Sequence, residues 1–116
     1  MELLDPTPNG YSQLARVPAD STLVYVSGQF GDGDGFEAQT RAAFQNLTAA
    51  LERGGATWAD VFKLTYYVVD TAELPTVRAV RDEFIDTKRP PTSTLVRVAG
   101  LFRDDLLIEI EAVAAV

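Results

Sequence analysis

Residues 36–69, FEAQTRAAFQNLTAALERGGATWADVFKLTYYVV, contain the change of hydrophobic period that decides the fold class. From Phe36 to Arg53, side chains suited to burial recur every three or four residues, which predicts an amphipathic helix. They are Phe36, Thr40, Phe44, Leu47 and Leu51. The pair Gly54-Gly55 is typical of a helix C-terminus. From Asp60 to Val69 the apolar residues alternate with others, which predicts a strand.

The flanking segments extend this pattern in both directions. Residues 1–10 contain Pro6, Pro8, Asn9 and Gly10 and predict an irregular lead-in. A second helix is expected after Asp70, with Pro75 in its first turn. Four more strands are expected, at residues 11–17, 23–28, 92–99 and 106–116. The order β-β-α-β-α-β-β, with both helices on one face of a mixed sheet, predicts a single α+β two-layer domain over residues 1–116.

The composition excludes several classes of chemistry. The chain has no histidine and no cysteine, so it has no imidazole base, no usual zinc site and no disulfide. We therefore expect no metal and no cofactor. The net charge of −7, with no basic run, gives no reason to expect a nucleic-acid partner. No apolar stretch approaches the roughly 20 residues of a membrane helix, and the first ten residues do not resemble a signal peptide. A cytoplasmic location is the expectation.

The two faces of the predicted sheet differ in character. Period-two alternation assigns one set of apolar residues to the helix-covered face: Phe62, Leu64, Tyr66, Val68, Val96, Val98, Leu106, Ile108 and Ile110. The alternate set is mixed: Tyr25, Ser27, Lys63, Thr65, Tyr67, Ser93, Leu95, Arg97, Leu107, Glu109, Glu111 and Val113. This second face is either solvated or packed against copies of itself, with Lys63 and Arg97 pairing with the two glutamates.

Short motifs distributed along the chain resemble those of one protein family. They are Tyr11-Ser12-Gln13, Val26-Ser27-Gly28-Gln29, Gln39-Thr40 with Asn46, the glycine at 54 or 55, and Ile108-Glu109-Ile110-Glu111-Ala112. In this order they resemble the RidA family, also called YjgF-like, whose members are often labelled L-PSP endoribonucleases. The resemblance covers nearly the whole chain.

The resemblance implies a chorismate-mutase-like fold, a homotrimer with a central β-barrel, and ligand clefts between subunits. Typical members hydrolyse imines or enamines of 2-oxo acids to the oxo acid and ammonia, without a cofactor. Glu109 is then the residue that places or deprotonates water. Tyr11, Ser27, Gly28 and Gln29 are expected to shape the substrate pocket.

Two departures from the family pattern put the usual substrate in doubt. The position of the arginine that binds the substrate carboxylate is Ser93, whose hydroxyl offers one neutral donor in place of a bidentate cation. Such a loss costs about 2–5 kcal/mol in a buried site. Ser93 and Leu95 remain assigned to the substrate pocket. Arg78 and Arg81 occupy positions that the family often fills with Asn and Tyr; either one replaces the missing anchor, or both form ordinary ion pairs.

Several functions remain open at this point. The first is hydrolysis of imines or enamines with altered specificity, and the second is deamination of a larger ring-opened amino acid. The third is a trimeric ligand-binding or chaperone-like protein without catalysis. The fourth is the endoribonuclease activity of the family label, against which the acidic charge and missing histidine argue. In the alternatives without catalysis, Glu109 pairs with Lys63 or Arg97, and Tyr11 is an ordinary strand aromatic.

Overall fold

A computed structural model describes residues 1–116 as one six-stranded sheet with two helices. The strands are β1 (Glu2–Pro6), β2 (Ser12–Arg16), β3 (Leu23–Gln29), β4 (Val61–Val68), β5 (Thr92–Arg97) and β6 (Ile108–Ala115). The helices are α1 (Phe36–Arg53) and α2 (Leu74–Arg81). The order across the sheet is β1-β2-β5-β4-β6-β3. β5 runs parallel to both its neighbours and the other pairs are antiparallel, so the sheet is mixed as predicted.

Helix α1 has the bounds that its apolar period predicts. Its C-terminal cap is Gly54, and Gly55 has a φ of 77°, a left-handed conformation that glycine adopts without steric cost. Helix α2 carries Pro75 in its first turn, where the missing N–H is not needed. Neither helix has the length and apolar content required to cross a membrane.

The lead-in predicted for residues 1–10 is wrong, because the structure contains strand β1 there. It pairs with β2 in the register Leu3↔Ala15, and Thr7 N–H donates to the carbonyl of Tyr11 across the turn, at 2.8 Å. Gly10, with a φ of 81°, allows that turn. Proline is tolerated in an edge strand because no neighbour needs its N–H, so Pro6 does not prevent pairing.

The core lies between the helices and one face of the sheet. Phe44 on α1 is fully buried, and its ring lies 5.1 Å from Phe84, 5.6 Å from Trp58 and 6.3 Å from Tyr66. The indole N–H of Trp58 donates to the Thr48 hydroxyl at 2.8 Å. Aromatic packing of this kind fixes the helices on one side of the sheet. The other side of the sheet, here called the open face, has no covering layer in the subunit.

The predicted assignment of residues to the two faces is correct for β4 and β6 with one exception. A bulge between Val61 and Lys63 removes Phe62 from the pattern, and Val61, which is 1% exposed, occupies the core position. Tyr67 lies opposite Glu109, and Thr65 lies opposite Glu111, on the open face. Side chains of paired residues share a face, so the predicted mixed surface exists.

The predicted assignment for β5 is wrong. Ser93 is in register with Leu64 and Leu95 with Tyr66, which puts both on the helix side, where Leu95 packs against the core. Val96 is in register with Tyr67 and lies on the open face instead. Leu107, also expected on the open face, packs against the core as well. Apolar residues occur at both parities in β5, so alternation alone does not choose between the faces.

Candidate active site

A cavity of about 410 Å³ lies on the open face, where β4 and β6 meet the loop that follows β5. Its size is within the range of small-molecule sites. Backbone and side-chain atoms of eight residues line it: Gly28, Tyr67, Val98, Gly100, Leu101, Phe102, Glu109 and Glu111. The lining therefore combines two carboxylates, one phenol and an apolar wall.

Gly28 allows the Glu109 side chain to lie directly against strand β3. A Cβ atom built on Gly28 would meet the carboxylate, with Glu109 Cδ at 2.8 Å and Cγ at 2.9 Å. The register of β3 against β6 shifts between Val26 and Gln29, so a bulge presents Gly28 to the glutamate. Because glycine has no side chain, the Glu109 carboxylate can lie against the backbone of residue 28, a close approach that any larger residue would prevent.

Tyr67 and Glu111 form a hydrogen-bonded pair beside Glu109. The Tyr67 hydroxyl donates to Glu111 Oε1 from the neighbouring strand, across a diagonal of the sheet. This hydrogen bond raises the pKa of Tyr67, and desolvation and the charges of Glu111 and Glu109 raise it further. The phenol therefore remains protonated. Because its proton is committed to Glu111, the Glu109 carboxylate is left to accept from water or a ligand.

The apolar wall is held in place by an arginine just outside the cavity. Phe102 contacts Phe30 edge to face, with ring centroids 4.9 Å apart. Arg103 follows Phe102 in the chain and forms ion pairs with Asp32 at 2.7 Å and with Asp105 at 2.8 Å. Its guanidinium lies over the ring of Phe30, the residue that Phe102 contacts. The hydrogen bonds to Asp105 and Asp32 raise the pKa of Arg103. Its charge is thus shared with two acids of the loops.

The structure brings some of the predicted site residues together. Gly28 and Glu109 both line the cavity. Ser27 and Gln29 flank Gly28, but the Gln29 amide donates to the Ser27 carbonyl at 3.1 Å, so it is used within its own turn. Tyr11 lies at the turn between β1 and β2, away from the cavity lining. Within the subunit, Ser93 and Leu95 also lie outside it, on the helix side of β5.

The two arginines of the second helix lie in the helix layer. Arg81 is 7% exposed and donates to the Asn9 carbonyl at 3.1 Å. It also pairs with Asp82 at 2.9 Å, and a Cβ on Gly10 would lie 2.8 Å from its Cζ atom. These contacts support the ion-pair alternative for Arg81, which holds the β1–β2 turn against α2. Arg78 is partly buried on α2 and does not line the cavity.

Sequence reasoning did not assign a site role to Tyr67, Glu111, Val98 or the loop Gly100–Phe102. The first two were placed on the open face, but their pairing depends on the register of β4 against β6, which alternation does not give. Neither glutamate forms an ion pair with Lys63 or Arg97 within the subunit. Lys63 lies opposite Val113, further along the strand.

The chain matches proteins of known family along nearly its full length. The family model described as Endoribonuclease L-PSP matches residues 4–116. A RutC family protein of Pyrococcus abyssi is 34% identical, covering 94% of this chain and 89% of its own. The 2-iminobutanoate/2-iminopropanoate deaminase of Dermatophagoides farinae is 31% identical, covering 97% of this chain and 91% of its own.

Solved structures give the same result. Rv2704 of Mycobacterium tuberculosis, a member of the YjgF/YER057c/UK114 family, is 42% identical with a TM-score of 0.76, over 81% of this chain and 79% of its own. RidA of a Psychrobacter species has a TM-score of 0.77 over 96% of this chain and 98% of its own; at 23% identity it supports the fold alone. Together with the sequence motifs, these matches place the chain in the endoribonuclease L-PSP family, the group of YjgF and RidA proteins.

Proposed function

We propose that residues 1–116 act as one RidA-like domain that hydrolyses small imines or enamines in the cavity on the open face. The observation that carries the proposal is the Glu109 carboxylate, which lies against Gly28 at the cavity wall while the neighbouring Tyr67 proton is committed to Glu111. A relative that is 31% identical to this chain is named a 2-iminobutanoate/2-iminopropanoate deaminase.

In the proposed reaction the imine is protonated at nitrogen, and Glu109 accepts a proton from water as the water oxygen attacks the imine carbon, which gives a neutral carbinolamine. Glu109 then returns that proton to the nitrogen, the C–N bond breaks as the C=O bond forms, and the hydroxyl proton passes through Glu109 to the departing ammonia. A protonated imine and water therefore give a carbonyl compound and an ammonium ion. An enamine first takes a proton at carbon to become the imine. A positioned general base contributes typically about 10²–10⁴-fold in rate. Neither a metal nor an organic cofactor enters this sequence.

We further propose that the functional unit is a homotrimer in which the open faces of three copies meet around a central barrel. The open face has no covering helix, and Tyr25, 74% exposed, and Val96, 40% exposed, present large apolar surface there. In such an assembly Tyr11, Ser27, Gln29 and Ser93 of neighbouring copies are proposed to complete the substrate cleft, whereas Leu95 packs against the core and Arg78 lies on α2 in the helix layer. Light scattering that gives a monomer mass would overturn this part of the proposal.

A second candidate is a trimeric protein that binds a small ligand or acts as a chaperone without catalysis. The observation that favours it is Ser93, which cannot grip a substrate carboxylate as an arginine does. We do not propose an RNA substrate, since the cavity presents two carboxylates and no cation to a phosphate.

The test separates these candidates. 2-Iminopropanoate and 2-iminobutanoate are generated in situ by an amino-acid oxidase or a threonine dehydratase, and imines without a carboxylate are generated by an amine oxidase. We expect the protein to accelerate ammonia release from at least one of these imines, and Glu109→Gln to abolish the acceleration. Glu52→Gln, on the exposed surface of α1, removes the same charge far from the cavity and is expected to retain full activity.

Absence of acceleration with every imine would overturn the hydrolase and favour the binding protein. A Ser93→Arg variant tests the anchor separately. If it gains activity on 2-iminopropanoate, the pocket is intact and lacks only the carboxylate contact.

A further inference from the structure

We infer that the cavity is selective for a cation: its substrate is a protonated imine with a small apolar substituent and no carboxylate. That the ligand is hydrolysed rests on the proposed function. That the ligand is a cation follows from the residues that line the cavity. The charged side chains that line the cavity are all acidic. Glu109 and Glu111 line the cavity, and no lysine or arginine does.

The neighbouring cations do not neutralise this charge within the subunit. Arg103 is paired with Asp32 and Asp105, so the cluster it belongs to adds net negative charge at the rim. Lys63 is four residues from Tyr67 along β4, about 13 Å at the rise of a strand. Arg97 is in register with Val68 rather than with the cavity residue Tyr67. An anionic substrate would therefore approach two carboxylates without a counter-charge, whereas a cation is attracted by both.

The hydrogen-bonding groups of the cavity also match a cation. The Tyr67 O–H group is used in its hydrogen bond to Glu111, so towards a ligand the hydroxyl oxygen can only accept. Both Glu109 oxygens and the remaining Glu111 oxygen accept as well. A protonated imine carries N–H donors and no acceptor at nitrogen, so it fits a set of acceptors, while a carboxylate would find no side-chain donor there.

The rest of the lining fits the apolar part of such a molecule. Val98, Leu101 and Phe102 form one wall, and the Phe102 ring is 68% exposed. An aromatic ring beside two carboxylates favours an organic cation, because the ring face attracts positive charge and the alkyl groups pack against it. The volume of about 410 Å³ suits a small molecule rather than a polymer.

Substrate and nitrogen product of the reaction both carry the charge that the cavity recognises. A protonated imine and water give a carbonyl compound and an ammonium ion. The C–N double bond is replaced by a C–O double bond, and both protons of water end on the nitrogen, each carried there by Glu109. The positive charge is on nitrogen in the substrate and again in the ammonium product, whereas the carbinolamine between them is neutral while Glu109 holds the proton. A substrate of this class is supplied by two-electron oxidation of a simple amine.

The experiment uses two stable molecules of the same shape and opposite charge, isobutylammonium and isovalerate. Each is titrated into the intact protein and followed by NMR. We expect saturable binding of isobutylammonium, with isovalerate at least about tenfold weaker. Glu109→Gln and Glu111→Gln are each expected to weaken isobutylammonium by about tenfold, the scale of one charge-assisted hydrogen bond. The surface control Glu52→Gln should leave binding unchanged.

The inference is overturned if isovalerate binds as tightly as isobutylammonium, if neither binds, or if the two cavity variants bind like the wild type while remaining folded. Because no turnover is needed, the result is independent of the imine assay. Hydrolysis of 2-iminopropanoate together with preference for isovalerate would sink the inference and leave the hydrolase standing. Preference for isobutylammonium without hydrolysis of any imine would sink the hydrolase and leave cation binding standing.

Discussion

Tyr66 and Tyr67 are adjacent in the chain and lie on opposite faces of the same strand, in environments that differ in almost every physical respect. Tyr66 is 2% exposed, and its hydroxyl is buried without a protein partner among the core aromatics. Tyr67 reaches the cavity, where its hydroxyl donates to Glu111. One side of the sheet is arranged to exclude water, and the other keeps polar groups in position. Stability and proposed chemistry should therefore separate by face.

The largest effect is expected from removing an aromatic ring on the helix side. Phe44→Ala deletes a fully buried ring in contact with three other aromatics and should lower the free energy of unfolding by about 3–5 kcal/mol. The matched control is Phe102→Ala, since that ring is largely exposed on the cavity wall. We expect it to change stability by no more than about 0.5 kcal/mol. Denaturant unfolding of both variants checks the contrast, and equal losses would break the comparison.

The second effect concerns the fit between Gly28 and Glu109. Gly28→Ala must displace the carboxylate, because the new methyl group would occupy its place. A misplacement of about 1 Å can cost on the order of 10²-fold in rate, so we expect a loss of that size in kcat/KM for imine hydrolysis. Glu52→Gln, on the exposed surface of α1, is the control and should retain full activity. Full activity in Gly28→Ala would show that Glu109 does not need this position.

The third effect is a change in the free energy of unfolding, with opposite signs for substitutions of the two tyrosines. Tyr66→Phe removes a buried hydroxyl that has no protein partner, so we expect it to raise the free energy of unfolding by about 1 kcal/mol. Tyr67→Phe removes the hydrogen bond to Glu111 and should lower it by about 1 kcal/mol. Thermal or denaturant unfolding measures both. A loss of stability in Tyr66→Phe would mean that its hydroxyl is hydrogen-bonded, and the contrast between the faces would weaken.

The smallest effect is in the alkaline pH dependence. The pKa of Tyr67 is raised above the ordinary tyrosine value of 10.0, chiefly by its hydrogen bond to Glu111. The unfolded chain therefore loses this proton at lower pH than the folded protein. The stabilisation is fully present below about pH 10 and is lost as the pH rises through the folded-state value. The slope of stability against pH above 10 should be shallower in Tyr67→Phe, and identical slopes would contradict the assignment.

Local sequence patterns predicted the helices and strands better than they predicted how the strands pair and which face each side chain occupies. The bounds of α1 follow from its apolar period and the two glycines after it, because a helix buries one stripe and its end needs a special backbone. Strand β1 was missed because Pro6, Pro8 and Gly10 mark residues 1–10 as irregular, although an edge strand tolerates a proline. The face of β5 was wrong because Leu95 and Val96 give both parities an apolar residue.

The candidate site was predicted only in part, for a related reason. Glu109 and Gly28 were identified because each stands in a motif that resembles the family pattern. Their contact across β3 and β6 depends on a bulge, and the Tyr67–Glu111 pair depends on a diagonal between strands. These are properties of register, which is fixed by tertiary packing rather than by the residues of one strand. The loop that supplies Phe102 carries no periodic signal at all.

The hairpin of β1 and β2 joins the remaining sheet through a narrow seam. Its strand register with β5 consists of the single pair Ser12↔Thr92, supported by the Ser12 N–H and hydroxyl bonds to the carbonyls of Pro91 and Pro90, while Arg81 holds its turn. A unit with so few attachments opens at a lower free energy than the strands around β4. Amide hydrogens of residues 2–16 should therefore exchange with solvent well before those of β4 and β6, so that the hairpin detaches while the cavity stays intact.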